Sequence, residues 1–326
     1  MNRRTALRLA AALAVPCALA PVAALAQAAW PAKPVRVVVP YPPGGPTDIV
    51  GRVIAQKLSE QTGQPFVVEN RPGAGANIGA EAVARAAPDG YTLLVATTGH
   101  AVNATLFKSP GYRVLQDFVP VSQLTAGPLV VVVNPSLPAR NMRELAALAR
   151  ERPGMLAYAS SGNGASTHLA VELFSTMAGV RMTHVPYKGS APGLTDTMGG
   201  QTSVMFDTML SAMPHVRSGK LRALATTGAV RSPAAPDLPT VAESGFPGFE
   251  AIAWNGLMAP AGTPPEIVAR LNAELRRALD LPDVRERFAN QGFTATWSEP
   301  EAFRAFLQAE VDKWGRAVKA SGATVD

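Results

Sequence analysis

The sequence predicts an α/β fold in two lobes, each a mostly parallel sheet flanked by helices. Short apolar runs alternate with amphipathic helical patterns, which is typical of parallel strands joined by crossover helices. The pattern restarts near residue 135, and the long apolar segment 251–260 precedes helices that have almost no strands of their own. The chain is therefore expected to cross to a second lobe near 130–134 and to return near 253–258.

The predicted strands are short apolar runs bounded by proline, glycine or polar residues. The first, 35–39, is a β-branched run between prolines, as expected of a buried strand. The other strands are predicted at 66–69, 92–96, 129–134, 155–159, 182–185, 203–206, 221–226 and 293–297. Most of them lead into a helical pattern, so the loops between strand and helix are numerous.

The predicted helices carry recognisable start and stop residues. Pro46 stands at the first position of one helix, Asn141 and Thr263 precede two others as caps, and Gly179 ends a fourth. The helices are predicted at 46–60, 80–87, 142–152, 166–178, 193–198, 208–218, from 264 onward, and at 299–319. The last and longest is expected to pack on the first lobe.

Residues 1–26 have the pattern of a cleaved signal peptide. Three arginines precede an apolar run over 9–25, and residues 24–26 form an A-x-A cleavage site. A membrane anchor is the alternative, but two prolines interrupt the run. Arg3 and Arg4 resemble a twin-arginine signal that lacks its aromatic residue, so both the Sec and the twin-arginine routes stay open.

The charge balance excludes a nucleic-acid partner. Removal of residues 1–26 leaves 300 residues with 27 basic and 24 acidic side chains, a net charge of +3 instead of +6. No run of lysine or arginine follows the signal. The single cysteine, Cys17, lies inside the signal, so the mature chain has no thiol chemistry and no disulfide. A mildly positive surface fits an anionic small ligand.

Four loops at the carboxyl ends of predicted strands are rich in glycine, serine and threonine. Ligands of open α/β sheets bind at such junctions, and the free N–H groups of a helix N-terminus favour an anion. In the first loop the predicted ligand contacts are Tyr41, Gly44, Gly45 and Thr47. Asp48 is expected to be structural, because its charge would repel a carboxylate.

The second loop follows the strand at 92–96. Its hydroxyl, imidazole and amide groups can donate to a carboxylate without a charged partner. The predicted contacts are Thr97, Thr98, His100 and Asn103. A packing role for His100 is equally compatible with the sequence.

The third loop is the best anion-binding pattern of the chain. Hydroxyls and glycine amides stand beside the N-terminus of a well-patterned amphipathic helix. The predicted contacts are Ser160, Ser161, Gly162, Gly164, Ser166 and Thr167. Capping of the helix by Ser166 is expected at the same time.

The fourth loop offers Tyr187 and Lys188, either as pocket residues or as a packed tyrosine and a solvated lysine. Asp207 follows the strand at 203–206. It is predicted either to accept a hydrogen bond from a ligand amino or hydroxyl group or to cap the next helix. Tyr187 and Asp207 complete the predicted ligand contacts.

Catalytic and cofactor patterns are weak. The four histidines have no metal-ligand spacing, and neither a G-x-S-x-G elbow nor a P-loop lysine is present. The glycine-rich stretch 73–79 resembles a dinucleotide loop, but its last glycine comes one residue late, so it is read as structural. We therefore expect no metal, no cofactor and no enzyme activity.

Five stretches together resemble the tripartite tricarboxylate transporter receptor family, also called the Bordetella uptake gene (Bug) family of periplasmic binding proteins. They extend over nearly the whole mature chain in the order and spacing of the family. They are VPYPPGGPTDIVGRVIAQKL, VVENRPGAGANIGAEAVARAAPDGYTLL, ASSGNGASTHLAVELF, HVPYKGSAPGLTDTMGGQ and NGLMAPAGTPPEIVARLN.

The resemblance implies a periplasmic protein with a type II Venus-flytrap fold. A carboxylate (a di- or tricarboxylate, an acidic amino acid or an aromatic acid) would be gripped between the first loop and the third. Lobe 1 would comprise 27–131 and 256–326, and lobe 2 would comprise 132–255. The implied partners are the membrane permease subunits of a tripartite transporter, and the protein is expected to be a monomer. A receptor for a membrane sensor kinase and, more remotely, an exported enzyme acting on a carboxylate are the alternatives.

Overall fold

The computed structural model describes residues 30–321 and 325, so the predicted signal peptide lies outside the described residues. The elements are β1 (Val35–Val39), α1 (Pro46–Thr62), β2 (Phe66–Asn70), α2 (Asn77–Ala84), β3 (Thr92–Thr97), α3 (Thr98–Leu106), β4 (Phe118–Val133), α4 (Met142–Glu151), β5 (Ala157–Ser160), α5 (Ser166–Ala178), β6 (Thr183–Pro186), α6 (Ser190–Gly199), β7 (Val204–Thr208), α7 (Met209–Arg217), β8 (Arg222–Thr226), β9 (Ile252–Pro260), α8 (Pro265–Asp280), α9 (Pro282–Ala289), β10 (Thr294–Ala295) and α10 (Pro300–Ser321). The predicted α/β class is confirmed.

The strands form two sheets that share β4. The first sheet has the order β2-β1-β3-β9-β4, with β10 on the other edge of β4. The second continues β4-β7-β5-β6, with β8 also paired to β4. The outer strands run parallel, whereas β4 and β9 pair antiparallel with their neighbours. The chain therefore passes between the halves on β4 and returns on β9.

The sixteen-residue strand β4 joins the two sheets. Its first part, 118–128, pairs with β9, and its last part, 129–133, pairs with β7 and β8. The sequence predicted only 129–134, because two prolines and several polar residues interrupt the apolar pattern before Leu129. Pairing on both edges decides the structure there. The exact lobe boundaries, 27–131 with 256–326 and 132–255, stay a prediction.

Helices cover both faces of each sheet. One apolar core lies between the first sheet and α1, α8 and α9, and another lies between the second sheet and α6 and α7. The largest core runs under α3, α5 and α10 and joins the two halves. Alternation along β4 divides its side chains between cores: Val131 and Val133 face the large core, and Val130 and Val132 face α6 and α7.

Several predicted helix ends are confirmed, and the predicted cap of α8 is wrong. The side chain of Asn141 accepts a hydrogen bond from the backbone N–H of Glu144 (2.9 Å), and Gly179 ends α5 in a left-handed conformation (φ 63°). Thr263 does not cap α8. Its hydroxyl donates backwards to the Pro260 carbonyl at 2.8 Å, and Pro264 precedes the helix instead.

Candidate functional site

A cavity of about 540 Å³ lies between the two sheets, at the ends of β1, β3, β5 and β7. Both halves of the structure and the strand β9 contribute to its wall. The lining residues are Tyr41, Pro42, Pro43, Gly45, Pro46, Thr47, Thr97, Thr98, Gly99, Ser161, Ala165, Ser166, Thr167, Lys188, Gly189, Ser190, Thr208, Ser211, Ala253, Trp254, Asn255 and Phe293. The wall thus combines hydroxyls with apolar rings.

Five helices begin at this cavity. The residues that precede α1, α3, α5, α6 and α7 all line it: Gly45, Thr97, Ala165, Gly189 and Thr208. Among the described residues, no side chain caps α1, α5 or α6. Their first N–H groups therefore have no partner within the helix, and the helix dipoles place partial positive charge at the same spot. The arrangement favours an anion inside the cavity.

The first loop is held by a buried carboxylate, as predicted for Asp48. Asp48 accepts hydrogen bonds from the Gly44 N–H (2.9 Å), Arg52 Nε (2.9 Å) and Asn70 Nδ2 (2.8 Å). Burial raises the pKa of Asp48, but these hydrogen bonds outweigh burial, and the pKa is lowered overall. Asp48 is therefore charged, and its two oxygens are occupied by hydrogen bonds from these three residues.

Tyr41 closes the cavity against the start of α3. Its hydroxyl lies 2.9 Å from the Thr97 hydroxyl, and a Cβ at Gly99 would come within 3.0 Å of the same oxygen. Burial raises the pKa of Tyr41, so the phenol is neutral and can donate or accept. Glycine at position 99 lets the tyrosine approach the helix.

The third loop is closed by a pair of hydroxyl residues. The Ser161 N–H donates to Thr167 Oγ1 at 2.9 Å, and the two hydroxyl oxygens lie 2.8 Å apart. Gly164 has a φ of 75°, and a Cβ there would stand 2.7 Å from the Leu106 side chain on α3. The loop of the second sheet therefore packs directly on a helix of the first sheet.

Two stacked histidines support this loop from behind. The His168 and His184 rings are 3.8 Å apart and nearly parallel. His168 Nδ1 accepts from the Gly164 N–H (3.2 Å), and His184 Nε2 lies 2.6 Å from Ser160 Oγ. Burial lowers the pKa of His168 to about 3, with the neighbouring His184 adding to the shift, and burial lowers the pKa of His184 to about 4. Both rings are neutral at pH 7.

Half of the predicted contacts line the cavity. These are Tyr41, Gly45, Thr47, Thr97, Thr98, Ser161, Ser166 and Thr167. Gly44, Ser160, Gly162 and Gly164 belong to the same loops but shape or anchor them instead of lining the cavity. Ser166 does not cap α5, since Ala165 precedes the helix. Direct contact between a ligand and the predicted residues of these loops stays a prediction.

The structure places His100 and Asn103 in the interior, away from the cavity. Residues 98–106 form α3 instead of a loop, because His100 Nδ1 accepts from the Thr97 N–H at 2.9 Å and so starts the helix. Asn103 Nδ2 donates to the Gly75 carbonyl (2.8 Å) and to Asn77 Oδ1 (2.7 Å). Both side chains hold α3 in the fold.

Tyr187 and Asp207 also lie off the cavity wall. The Tyr187 hydroxyl donates to Asp196 Oδ2 at 2.7 Å. Asp207 is fully buried and accepts from Ser190 Oγ at 2.7 Å, while Thr208, not Asp207, caps α7. Lys188 lines the cavity, and it is the one charged side chain among the described lining residues.

Sequence reasoning missed the part of the wall that comes from β9, α7 and the segment before β10. Trp254, Asn255 and Phe293 lie far from the four loops in the chain, and Ser211 lies four residues after the predicted Asp207. The segment 251–260 was expected to cross between lobes, and a crossing strand must pass the cleft. That position was the available signal for Trp254 and Asn255.

Neither a metal centre nor a membrane span emerges from the described part of the chain. No three His, Cys, Asp or Glu side chains within 30–321 are close enough to hold a metal ion together. Over the same residues, no helix has the length and apolarity needed to cross a bilayer.

Comparison with known proteins adds independent observations. Residues 50–323 match the family described as tripartite tricarboxylate transporter family receptor. Protein BugT of Bordetella pertussis is 42% identical over 319 residues, which cover 97% of this chain and 98% of BugT. The structure titled R. palustris Rpa4515 with adipate has a TM-score of 0.81 at 39% identity, over 90% of this chain and 98% of that chain. MatC (Rpa3494) from Rhodopseudomonas palustris with bound malate has a TM-score of 0.79 at 38% identity, over 89% and 100%.

Proposed function

Because this chain belongs to the tripartite tricarboxylate transporter receptor family, we propose that it captures a small carboxylate in the periplasm and delivers it unchanged to the permease of such a transporter. The membership confirms the resemblance drawn from the loop motifs and the periplasmic-binding-protein fold. Binding, delivery and location in this particular chain are the proposal.

The observation that carries the proposal is the meeting of five helix N-termini around one cavity. An anion near a helix N-terminus is stabilised by about 0.3–1 kcal/mol in an exposed setting, and by more when partly buried. Hydroxyls of Thr47, Ser161 and Ser166 add donors. No arginine lines the cavity in the described part of the chain, so backbone N–H groups and hydroxyls would supply most of the recognition.

The other walls are apolar, which favours a carboxylate with a carbon skeleton over an inorganic anion. Pro42, Pro46, Trp254 and Phe293 line the cavity, and Trp254 is almost completely buried. The adipate and malate of the two structural relatives are small organic acids of this kind. These walls would bury the ligand's carbon atoms.

A binding role without catalysis fits the chemistry of the wall. The histidines closest to the third loop are bonded to Gly164 and Ser160 inside the fold. His100 is buried against Thr97 and Tyr112. None of these three rings lines the cavity, so none is positioned as a general base for a bound acid.

A thermal-shift screen tests the proposal. Malate, succinate, adipate, citrate, glutamate and benzoate are suitable probes. A cognate acid is expected to stabilise the protein by roughly 3–4 kcal/mol at 100–1,000 times its Kd. The acid recovered after long incubation should be chemically unchanged. Absence of any shift, with protein shown by mass spectrometry to be ligand-free, would contradict carboxylate binding.

The third loop gives a second prediction. Ser161→Ala combined with Thr167→Ala removes the hydroxyl pair that closes the loop, and both of these residues line the cavity. Affinity for the acid found in the screen is expected to fall by roughly 1–3 kcal/mol, measured by calorimetry. Ser218→Ala, on the exposed end of α7, is the matched control and should bind as the wild type does. Unchanged affinity in the double variant would place recognition elsewhere.

A further inference from the structure

Asp207 is a buried carboxyl one hydrogen bond behind the cavity wall. It ends the strand β7 and has no exposed surface. Its Oδ1 accepts from Ser190 Oγ at 2.7 Å, and Ser190 lines the cavity at the uncapped start of α6. Its Oδ2 is buried and has no hydrogen-bond partner among the described residues. The carboxyl therefore reaches the cavity through one serine.

The serine hydroxyl has a single proton, and that proton can point in one direction only. With Asp207 ionised, the hydroxyl donates to the carboxylate, and Ser190 presents only a lone pair to the cavity. With Asp207 protonated on Oδ1, the carboxylic acid donates to Ser190 Oγ. The serine proton is then free to point into the cavity. A proton on Oδ2 would find no acceptor among the described residues, so Oδ1 is the favoured position.

The surroundings of Asp207 allow both its ionised and its protonated form near neutral pH. Burial raises the pKa of Asp207 to about 7, although the Ser190 hydroxyl and the nearby Thr208 N–H act in the opposite direction. No charged side chain in the described part of the chain pairs with it. In the sheet, Val130 of β4 lies opposite Asp207, and Ala159 of β5 lies opposite Met205, two residues before Asp207 on β7.

The titratable groups on the elements packed against β7 have other partners or lie apart. On α5, His168 bonds to Gly164 and Glu172 bonds to Tyr158; on α6, Asp196 bonds to Tyr187. His215 and Arg217 are in the last turn of α7, and the exposed Lys188 precedes α6. Asp207 is thus coupled to the cavity chiefly through Ser190.

We propose that Asp207 is a specificity-determining positioning residue, which sets through Ser190 whether the wall at the start of α6 accepts or donates a hydrogen bond. The proposal rests on the proposed function. The ionised form suits a ligand hydroxyl or ammonium group, which donates to Ser190. The protonated form suits a further carboxylate oxygen, which accepts from Ser190. One cavity therefore changes its preference between hydroxylated and plain dicarboxylates as Asp207 gains its proton.

Malate and succinate are matched probes, because they differ by one hydroxyl. Their affinities are measured by calorimetry at about pH 6 and about pH 8.5, on either side of the raised pKa of Asp207. The malate-to-succinate affinity ratio of the wild type is expected to be about 3- to 10-fold higher at the upper pH, as one neutral hydrogen bond would produce. Asp207→Asn is measured with the same two acids at the same pH values. It has no titrating carboxyl at this position, so its malate-to-succinate affinity ratio should not change. Ser190→Ala should also lose the change.

A direct readout separates this role from a purely structural one. Infrared difference spectra of wild type against Asp207→Asn should show a protonated carboxylic acid at the lower pH that disappears at the upper pH. A wild-type ratio that does not depend on pH, or the same dependence in Asp207→Asn, overturns the inference and leaves the proposed function intact. Failure of both acids to bind the wild type overturns the proposed function for dicarboxylates, and this inference with it.

Discussion

Acidification from pH 7 to about 4.5 is expected to lower the free energy of unfolding by an amount on the order of 5 kcal/mol. Three histidines cause most of the loss, of which His100 and His168 are buried and His184 is half-buried. Burial lowers the pKa of His100 to about 4, of His168 to about 3 and of His184 to about 4. The unfolded chain keeps values near 6.5. Between pH 6.5 and the folded values, the unfolded state binds protons that the native state does not, so stability falls as the pH falls.

For Asp207, acidification has the opposite effect on the free energy of unfolding. Its pKa is raised to about 7 in the fold, so between pH 7 and the ordinary value near 4 the native state binds the extra proton. That proton stabilises the fold on acidification and offsets part of the histidine effect. His184 is half-buried, and its contribution is smaller than its pKa alone would give. The three histidines still outweigh the single carboxyl.

Urea unfolding at a series of pH values measures this dependence. His184→Gln keeps a side-chain partner for Ser160 but cannot titrate, and it is expected to give a shallower dependence than the wild type. Unfolding free energies that stay level from pH 7 to 4.5 would contradict the neutral state of these histidines in the fold.

Replacement of Trp254 by alanine is expected to cost about 3–5 kcal/mol of stability, the range for a large buried aromatic side chain. Trp254 packs edge-on against Phe303 and Phe306 of α10, at centroid distances of 5.8 and 5.6 Å. Its Nε1 donates to Glu310 Oε2 at 2.8 Å. Alanine would leave a cavity between β9 and α10 and remove one donor from a buried carboxylate.

Two variants separate these contributions. Trp254→Phe keeps an aromatic ring against α10 and loses the donor. Glu310 still accepts from Trp314 Nε1 at 2.9 Å and pairs with Lys313, so the loss is expected to be about 1–2 kcal/mol. Trp297→Ala is the matched control, because Trp297 is only partly buried beside Arg276 and should cost less than Trp254→Ala. Equal losses in urea unfolding for the two alanine variants would contradict the anchoring role of Trp254.

Local signals in the sequence predicted elements whose ends are set by their own residues. The bounds of β1 and α5 agree with the prediction, because prolines bound the first and a glycine ends the second. The first part of β4 was missed, since its pairing with β9 is decided by residues more than a hundred positions away. Local pattern does not carry such a contact.

In the candidate site, too, local sequence patterns predicted some residues and missed others that tertiary packing places. The hydroxyl residues of the third loop, Ser161, Ser166 and Thr167, were predicted and line the cavity, because strand-to-helix junctions meet at one edge of each sheet. His100 and Asn103 were predicted as loop residues, whereas the hydrogen bond from the Thr97 N–H to His100 helps to start a helix, α3, that the sequence analysis did not predict, and both side chains point inward. Phe293 carried no local signal, since it reaches the cavity only through tertiary packing.

The position of β9 in the first sheet sets the order in which the protein can be completed during synthesis. The edge of β3 that does not face β1 is paired by residues 255–258, and α10 packs on α3. A chain that ends before residue 252 therefore lacks the strand that pairs with this edge of β3 and the helix that covers α3. The first sheet can therefore be completed only after residues 252–260 and α10 have been synthesised, near the end of translation.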